Sequence, residues 1–184
     1  MRKELLFTYI RNSNREGMNS KELIKNYVDA ADMVLVGIGT GFKSEDQSNV
    51  EKAYTNLKAL IDGKNYFVIT ESDDESVFKA GFKPDRVTAP VIEKEKTGKT
   101  ADENWDKYLK WIMGSMNRNI LLLELGVSLV QPEIIRFPFE KMAAVNMKSN
   151  FIRVNKKLAF IPENLSEKAI SVKDDPVELM IELE

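Results

Sequence analysis

Four carboxylates crowd into the segment Thr70-Glu71-Ser72-Asp73-Asp74-Glu75. Like charges held close together disfavour one another's ionisation, so such crowding raises carboxylate pKa values. One acid of the group, among Glu71, Asp73 and Asp74, could then serve as a general base or anchor a ribose or an amide. The plainer reading is a solvated acidic loop, the usual fate of a charge run. A second chemical motif is Gly37-Ile38-Gly39-Thr40-Gly41. Glycines in such a turn let the backbone approach a pyrophosphate and aim N–H groups at it. The motif departs from the dinucleotide fingerprint, because Phe42 stands where a third glycine or alanine belongs and no ribose-binding acid follows about 20 residues on. A tight strand exit with no ligand is the alternative. Leu125-Gly126-Val127-Ser128-Leu129 offers a glycine and a hydroxyl, and a plain turn would read the same.

The 184 residues include no histidine and no cysteine. Serine–histidine triads, histidine metal sites, disulfides and cysteine zinc sites are thereby excluded. Acid–base work near neutral pH falls to carboxylates, lysine, tyrosine or water. A metal site would be all-oxygen, which suits magnesium or calcium. Hydrophobic residues make up 43% and charged residues 30%, with a net charge of -2, which are ordinary globular values. No basic excess exists to neutralise phosphates along a duplex, so general nucleic-acid binding is not expected. Residues 1–17 lack the apolar core of a signal peptide, and no stretch reaches the roughly 20 apolar residues of a membrane span. The expectation is a cytoplasmic protein without a membrane segment.

The elements that must hold these motifs alternate between helix and strand. Residues 19–31 read as a helix capped at Asn19 or Ser20, with Glu22 in capping-box spacing. Met33 to Val36 is an unbroken apolar run of the kind buried on both faces of a parallel sheet. Ser48 with Glu51 marks a second helix, with Val50, Ala53, Tyr54, Leu57 and Ile61 as its buried stripe and Asp62-Gly63 as its stop. Residues 66–70 form a second strand leading into the acidic loop. Residues 87–92 read as a short strand and 93–100 as a solvated turn. Residues 102–116 read as an amphipathic helix buried along Trp105, Tyr108, Leu109, Ile112, Met113 and Met116. Strands follow at 120–125, 151–154 and 169–172, with helix starts near Pro132 and Pro138 and a terminal helix over 176–183. This order predicts one domain over 1–184, a three-layer, doubly wound parallel sheet of the Rossmann-like kind. Ligands of such sheets bind beyond the carboxyl ends of the strands. The glycine turn, the acidic loop, the segment 126–128 and Asn155 all lie there and outline one cleft.

Taken in order, these pieces resemble the sirtuins, the NAD-consuming deacylase family. The turn Gly37-Ile38-Gly39-Thr40-Gly41 resembles the family's Gly-Ala-Gly-Ile-Ser turn, where NAD phosphates sit. Residues 67–74 resemble the strand leading into the family's Thr-Gln-Asn-x-Asp motif, with Ala80-Gly81 at about the family's spacing. Leu125-Gly126-Val127-Ser128-Leu129 resembles its Gly-Thr-Ser-Leu turn. Phe151-Ile152-Arg153-Val154-Asn155 resembles the strand whose terminal asparagine holds the adenosine ribose, and 169–179 the final strand and helix that close the adenine pocket.

The resemblance implies an adenine-nucleotide ligand, NAD or ADP-ribose, held by Gly37, Gly39, Thr40, Gly41, Ser72, Gly126, Ser128 and Asn155. It also implies Asp74 against the nicotinamide amide. The departures fall on catalysis. The stretch where the family's histidine would lie reads Arg86-Val87-Thr88-Ala89-Pro90; Glu71 and Ser72 stand at the family's glutamine and asparagine; the cysteines of the zinc ribbon are missing, so no zinc is expected. The family's phenylalanine-arginine pair has no clear counterpart after Gly41. Loss of a general base forfeits a factor on the order of 100 to 10,000. The expectation is therefore a pseudoenzyme-like NAD or ADP-ribose binder without standard deacylase activity. The alternative is an NAD glycohydrolase or ADP-ribosyltransferase using Glu71 or Asp73 as base. A ligand-free interaction protein comes third, and no protein partner is indicated.

Overall fold

The computed structural model describes residues 18–183. Six parallel strands form one sheet in the order β3-β2-β1-β4-β5-β6. They are β1 (Met33–Ile38), β2 (Asn65–Thr70), β3 (Val87–Thr88), β4 (Ile120–Leu125), β5 (Ser149–Val154) and β6 (Ala169–Val172). The doubly wound, Rossmann-like sheet expected from the sequence is thus present. Every residue of β1, β4 and β5 is buried, which explains why these strands lack the polar alternation of a one-sided sheet. Among the described residues no helix is long and apolar enough to cross a membrane. The reading of residues 1–17 lies outside the described residues.

Helices α1 (Ser20–Ala30), α2 (Gln47–Leu60) and α7 (Pro176–Ile181) cover one face, where Val34, Val36, Ile38, Leu121 and Leu123 point. Helices α5 (Trp105–Met113) and α6 (Arg136–Val145) cover the other, where Leu35, Phe67, Leu122 and Phe151 point. Two short helices, α3 (Ser76–Lys79) and α4 (Pro90–Thr97), flank β3. The α1 cap is the one that the spacing indicates, with Asn19 Oδ1 accepting the Glu22 N–H at 2.9 Å. The α2 cap differs. Asp46 takes the role assigned to Ser48, accepting both the Ser48 N–H at 2.9 Å and its hydroxyl at 2.7 Å.

Three further expectations are corrected. The strand over 87–92 is only two residues long, because Pro90 has no N–H for a ladder and its fixed φ suits a first helical turn. The solvated turn over 93–100 is mostly α4, closed by Gly98 in the left-handed region at φ 77°. The helix over 102–116 shortens to α5, and only Tyr108 and Ile112 of its stripe are buried. Leu109, Met113 and Met116 face outward. The helix instead leans on Phe67, whose ring lies 5.5 Å from Tyr108 and 5.8 Å from Trp111.

One polar cluster is built into the second face. Strand register sets Glu124 of β4 beside Arg153 of β5, both fully buried. Arg153 grips the Glu124 carboxylate with Nε at 2.7 Å and Nη2 at 2.9 Å, and also donates to Glu140 and to the Phe160 carbonyl, each at 2.8 Å. Arg136, at the start of α6, reaches Glu124 at 3.5 Å and the Leu158 carbonyl at 3.2 Å. These contacts tie β4, β5, α6 and the loop 155–160 together. Removing one partner of a buried pair leaves a charge without compensation, at a cost of about 3–5 kcal/mol. Arg153→Met should therefore lose about that much in urea unfolding. The double variant Glu124→Leu/Arg153→Met should recover most of it, since the stranded charge goes too.

Candidate functional site

From β1 the chain proceeds to β2 and β3 on one side, and from β4 to β5 and β6 on the other. The loops leaving β1 and β4 therefore diverge, and the crevice between them is where doubly wound sheets place ligands. Both loops depend on glycine for contact with each other. A Cβ on Gly39 would collide with Gly126 O and Val127 Cα, and one on Gly41 would lie 2.7 Å from Gly126 O. A Cβ on Gly126 would lie 2.6 Å from Phe42 N, and its φ of +65° is itself a glycine conformation.

The same contact corrects the expectation that this turn aims its N–H groups at a phosphate. Gly39 N–H donates to Leu125 O at 2.9 Å, Gly41 N–H to Gly126 O at 2.8 Å and Phe42 N–H to Gly39 O at 3.0 Å. These donors are engaged by main-chain carbonyls. Gly37 lies within β1, where a Cβ would meet Ile135 at 2.5 Å and Phe139 at 2.8 Å, so its bareness seats α6 on the sheet.

Glu71 joins the three loops. Its N–H continues the ladder to Ile38 O at 2.9 Å, and its Oε1 accepts the Ser128 N–H at 2.8 Å. Its other oxygen, Oε2, is buried with no hydrogen-bond partner, in a residue 3% exposed. Burial pushes the Glu71 carboxyl up; the N–H and hydroxyl of Ser128, the Thr40 N–H and the charge of Arg136 pull the other way. Around it opens a cavity of about 160 Å³ lined by Thr40, Glu71, Asp73 and Ser128, with Val91 and Glu95 from α4 and Val130 and Gln131 from the loop after β4. Three of those side chains are carboxylates and none is basic.

Ser72 and Asp74 turn into their own loop. Ser72 Oγ accepts the Asp74 N–H at 3.1 Å, and Asp74 Oδ1 accepts the Ser76 N–H at 2.9 Å. Burial first, and then the charge of Asp74, raise the phenol pKa of Tyr54. Asn155 spans the back of the β4 loop, donating to Val127 O at 3.0 Å and accepting the Lys157 and Leu158 N–H groups, each at 3.0 Å. At β3, where the resemblance would place a histidine, Asp102 accepts the Thr88 hydroxyl at 2.8 Å and the Ala89 N–H at 2.5 Å. Among the described residues no group of three His, Cys, Asp or Glu side chains could hold a metal ion.

The structure thus gathers Thr40, Glu71, Asp73 and Ser128, and sets Gly37, Ser72, Asp74 and Asn155 back as supports. Sequence reasoning missed Val91, Glu95, Val130, Gln131 and Arg136. Pro90 with Gly98 eight positions on was the available signal, since proline at a helix start and glycine past its end would have placed Glu95 on a helix.

A carboxyl whose pKa is raised on folding binds more protons in the folded than in the unfolded state. Its cost is absent below its unfolded pKa and complete above its folded pKa, so stability falls as pH rises through that window. Glu71→Gln keeps an oxygen for the Ser128 N–H and removes the charge. It should be more stable than the parent at pH 7 by on the order of 1 kcal/mol, with the gain vanishing below the unfolded carboxylate pKa, as read by urea unfolding across pH.

No family model matches the chain. A stretch of 69 residues, 38% of this chain, is 26% identical to a protein ADP-ribosyltransferase of Staphylococcus aureus strain Mu50; it covers 22% of that protein, so the chain spans about a fifth of its relative's length. Among solved structures, a mutant Sir2 homologue in complex with 2'-O-acetyl ADP ribose matches with a TM-score of 0.55, covering 90% of this chain and 95% of that one at 14% identity. At that identity the likeness is one of fold, and the chain is a divergent domain with the Sir2-like fold.

Proposed function

We propose that this domain binds NAD or ADP-ribose in the crevice between the β1 and β4 loops and does not perform standard protein deacylation. The observation that carries this reading is Glu71, which bridges the three loops and keeps a buried acceptor oxygen beside the cavity. Ribose hydroxyls and a carboxamide are hydrogen-bond donors that a carboxylate accepts well. Thr40 and Ser128 add hydroxyls to the same wall. The solved Sir2 homologue that shares this fold carries an ADP-ribose derivative, which supports the ligand class.

A diphosphate is repelled by the carboxylates of the cavity. In this reading it lies outside, along the glycine turn, where Lys43 is an exposed cation two residues past Gly41. Gly39, Gly41 and Gly126 act by fixing the loops, and Asn155 by holding the β4 loop in place. Deacylation in the manner of the family needs a base where Thr88 and Ala89 are tied to Asp102.

The unpartnered Glu71 oxygen also favours a second reading, an NAD glycohydrolase or ADP-ribosyltransferase. Cleavage of the nicotinamide–ribose bond passes through an oxocarbenium-like centre, which a carboxylate stabilises while accepting the proton of the attacking water or hydroxyl. Glu71 or Asp73 takes that role here; the family resemblance assigns the nicotinamide amide to Asp74, which in this fold caps Ser76 and does not line the cavity.

Titration with NAD and with ADP-ribose, followed by calorimetry and thermal shift, tests the binding reading. Ligand at 100 times its Kd should stabilise the domain by about 2.7 kcal/mol, and silence with both ligands overturns the proposal. Nicotinamide release from NAD decides the second reading. Release that falls about 100-fold or more in Glu71→Gln makes Glu71 the base, and release unchanged in Asp74→Asn removes Asp74 from the amide.

A further inference from the structure

The cavity beside Glu71 has a charge that a nucleotide does not account for. Glu71, Asp73 and Glu95 line it, and no lysine or arginine does. Asp73 and Glu95 are exposed and can be solvated, whereas Glu71 is 3% exposed. Its N–H and its Oε1 are engaged, so Oε2 alone is left without a partner. An ionised oxygen buried in that condition is costly unless a donor meets it. The protein's own nearby cations are held elsewhere. Lys96 bonds Glu75 at 2.6 Å, and Arg136 belongs to the buried cluster with Glu124 and the Leu158 carbonyl.

The missing donor is neither a metal ion nor an anion. No described acidic group has the arrangement a metal needs, and three carboxylates exclude an anion. Of the remaining lining, Thr40, Ser128 and Gln131 are neutral and polar, and Val91 and Val130 are apolar, the latter 80% exposed, with Leu129 beside it in sequence. One buried and two exposed carboxylates beside two valines suit a cation carried on an aliphatic stem. Between ammonium and guanidinium, the second is less strongly hydrated, so it loses less on entering a cavity. It also presents several in-plane N–H donors to more than one carboxylate while its faces rest on apolar carbon.

We infer that this cavity is a recognition site for a guanidinium group, supplied by an arginine side chain or a small arginine-like molecule. Its N–H groups donate to Glu71 Oε2 and to the carboxylates of Asp73 and Glu95, and its stem crosses Val130. The site stands on this geometry alone and does not require the nucleotide.

The test is a chemical-shift titration of the full chain, free of nucleotide, with methylguanidinium, its neutral isostere methylurea, and methylammonium. Methylguanidinium should bind at least tenfold more tightly than either of the others, with the largest shifts at Thr40, Glu71 and Ser128. Glu71→Gln should abolish that preference. Glu95→Gln, a change at an exposed position, should weaken it several-fold without altering the fold. Equal binding of methylurea, equal or tighter binding of methylammonium, or indifference to both variants overturns the inference. Agmatine and the tripeptide Gly-Arg-Gly then separate the two sources. Tighter agmatine binding assigns a small molecule, and tighter peptide binding assigns a protein side chain. A domain that takes methylguanidinium and ignores NAD would remove the nucleotide reading and leave this one, and the reverse result would do the opposite.

Discussion

At the carboxyl ends of β1 and β4 two backbones run closer than any side chain permits. Gly39 and Gly41 lie against Gly126 with no room for a Cβ on any of the three, and their N–H groups close main-chain hydrogen bonds across or within the turn. This contact sets the separation of the two loops that flank the switch point. It holds Thr40 and the Ser128 N–H at positions from which both can reach one carboxylate arriving from β2. It also spends the donors that a glycine turn would otherwise offer to a phosphate. The crevice is therefore sealed next to the sheet and opens outward toward α4 and the loop after β4, where the acidic cavity lies.

Behind that contact stands the buried charge cluster. Glu124 and Arg153 occupy the next-to-last positions of adjacent strands, and Gly37 is in register with Glu124 on the other side. Glycine there admits Ile135 and Phe139, which brings the first turn of α6, and with it Arg136, over the strand ends. Arg153 is held at short distance by two carboxylates and a carbonyl, while Arg136 makes longer contacts and stacks 4.5 Å from the Phe160 ring. Its positive charge is felt at Glu71 as well as at Glu124. Desolvation outweighs that pull at Glu71, so the acid is buried against an electrostatic preference and not because of one.

The strands were legible because unbroken apolar runs such as 33–36 and 120–123 have few other uses in a chain of this size. The cleft followed from topology, and Thr40, Glu71, Asp73 and Ser128 do meet in it. What the sequence concealed was partnership over long separation. The Gly41 N–H goes to Gly126 O, and nothing near Gly41 announces it. The stripe on α5 misled because a helix leaning on Phe67 buries fewer positions than one laid flat on a sheet, which leaves Met113 and Met116 in solvent. The ion pair had a visible trace, a single charge near the end of each of two apolar strands, but its significance required the register.

Burial outweighs the groups that favour a negative charge on Glu71. The Ser128 N–H needs an acceptor, which an amide oxygen supplies as well, and Oε2 is left without a hydrogen-bond partner. The charge is a net cost to the folded state, in a cavity where Asp73 and Glu95 add more of the same sign. Elsewhere the chain spends its acids on structure: Asp102 clamps Thr88 and Ala89, Asp74 caps Ser76, and Glu124 holds Arg153. The contrast separates one carboxylate from the rest. A costly buried acid at a strand end, lining a cavity, marks a candidate binding or reacting group. The Glu71 oxygen accordingly stands apart from the end of β3, where Thr88 and Ala89 are tied to Asp102.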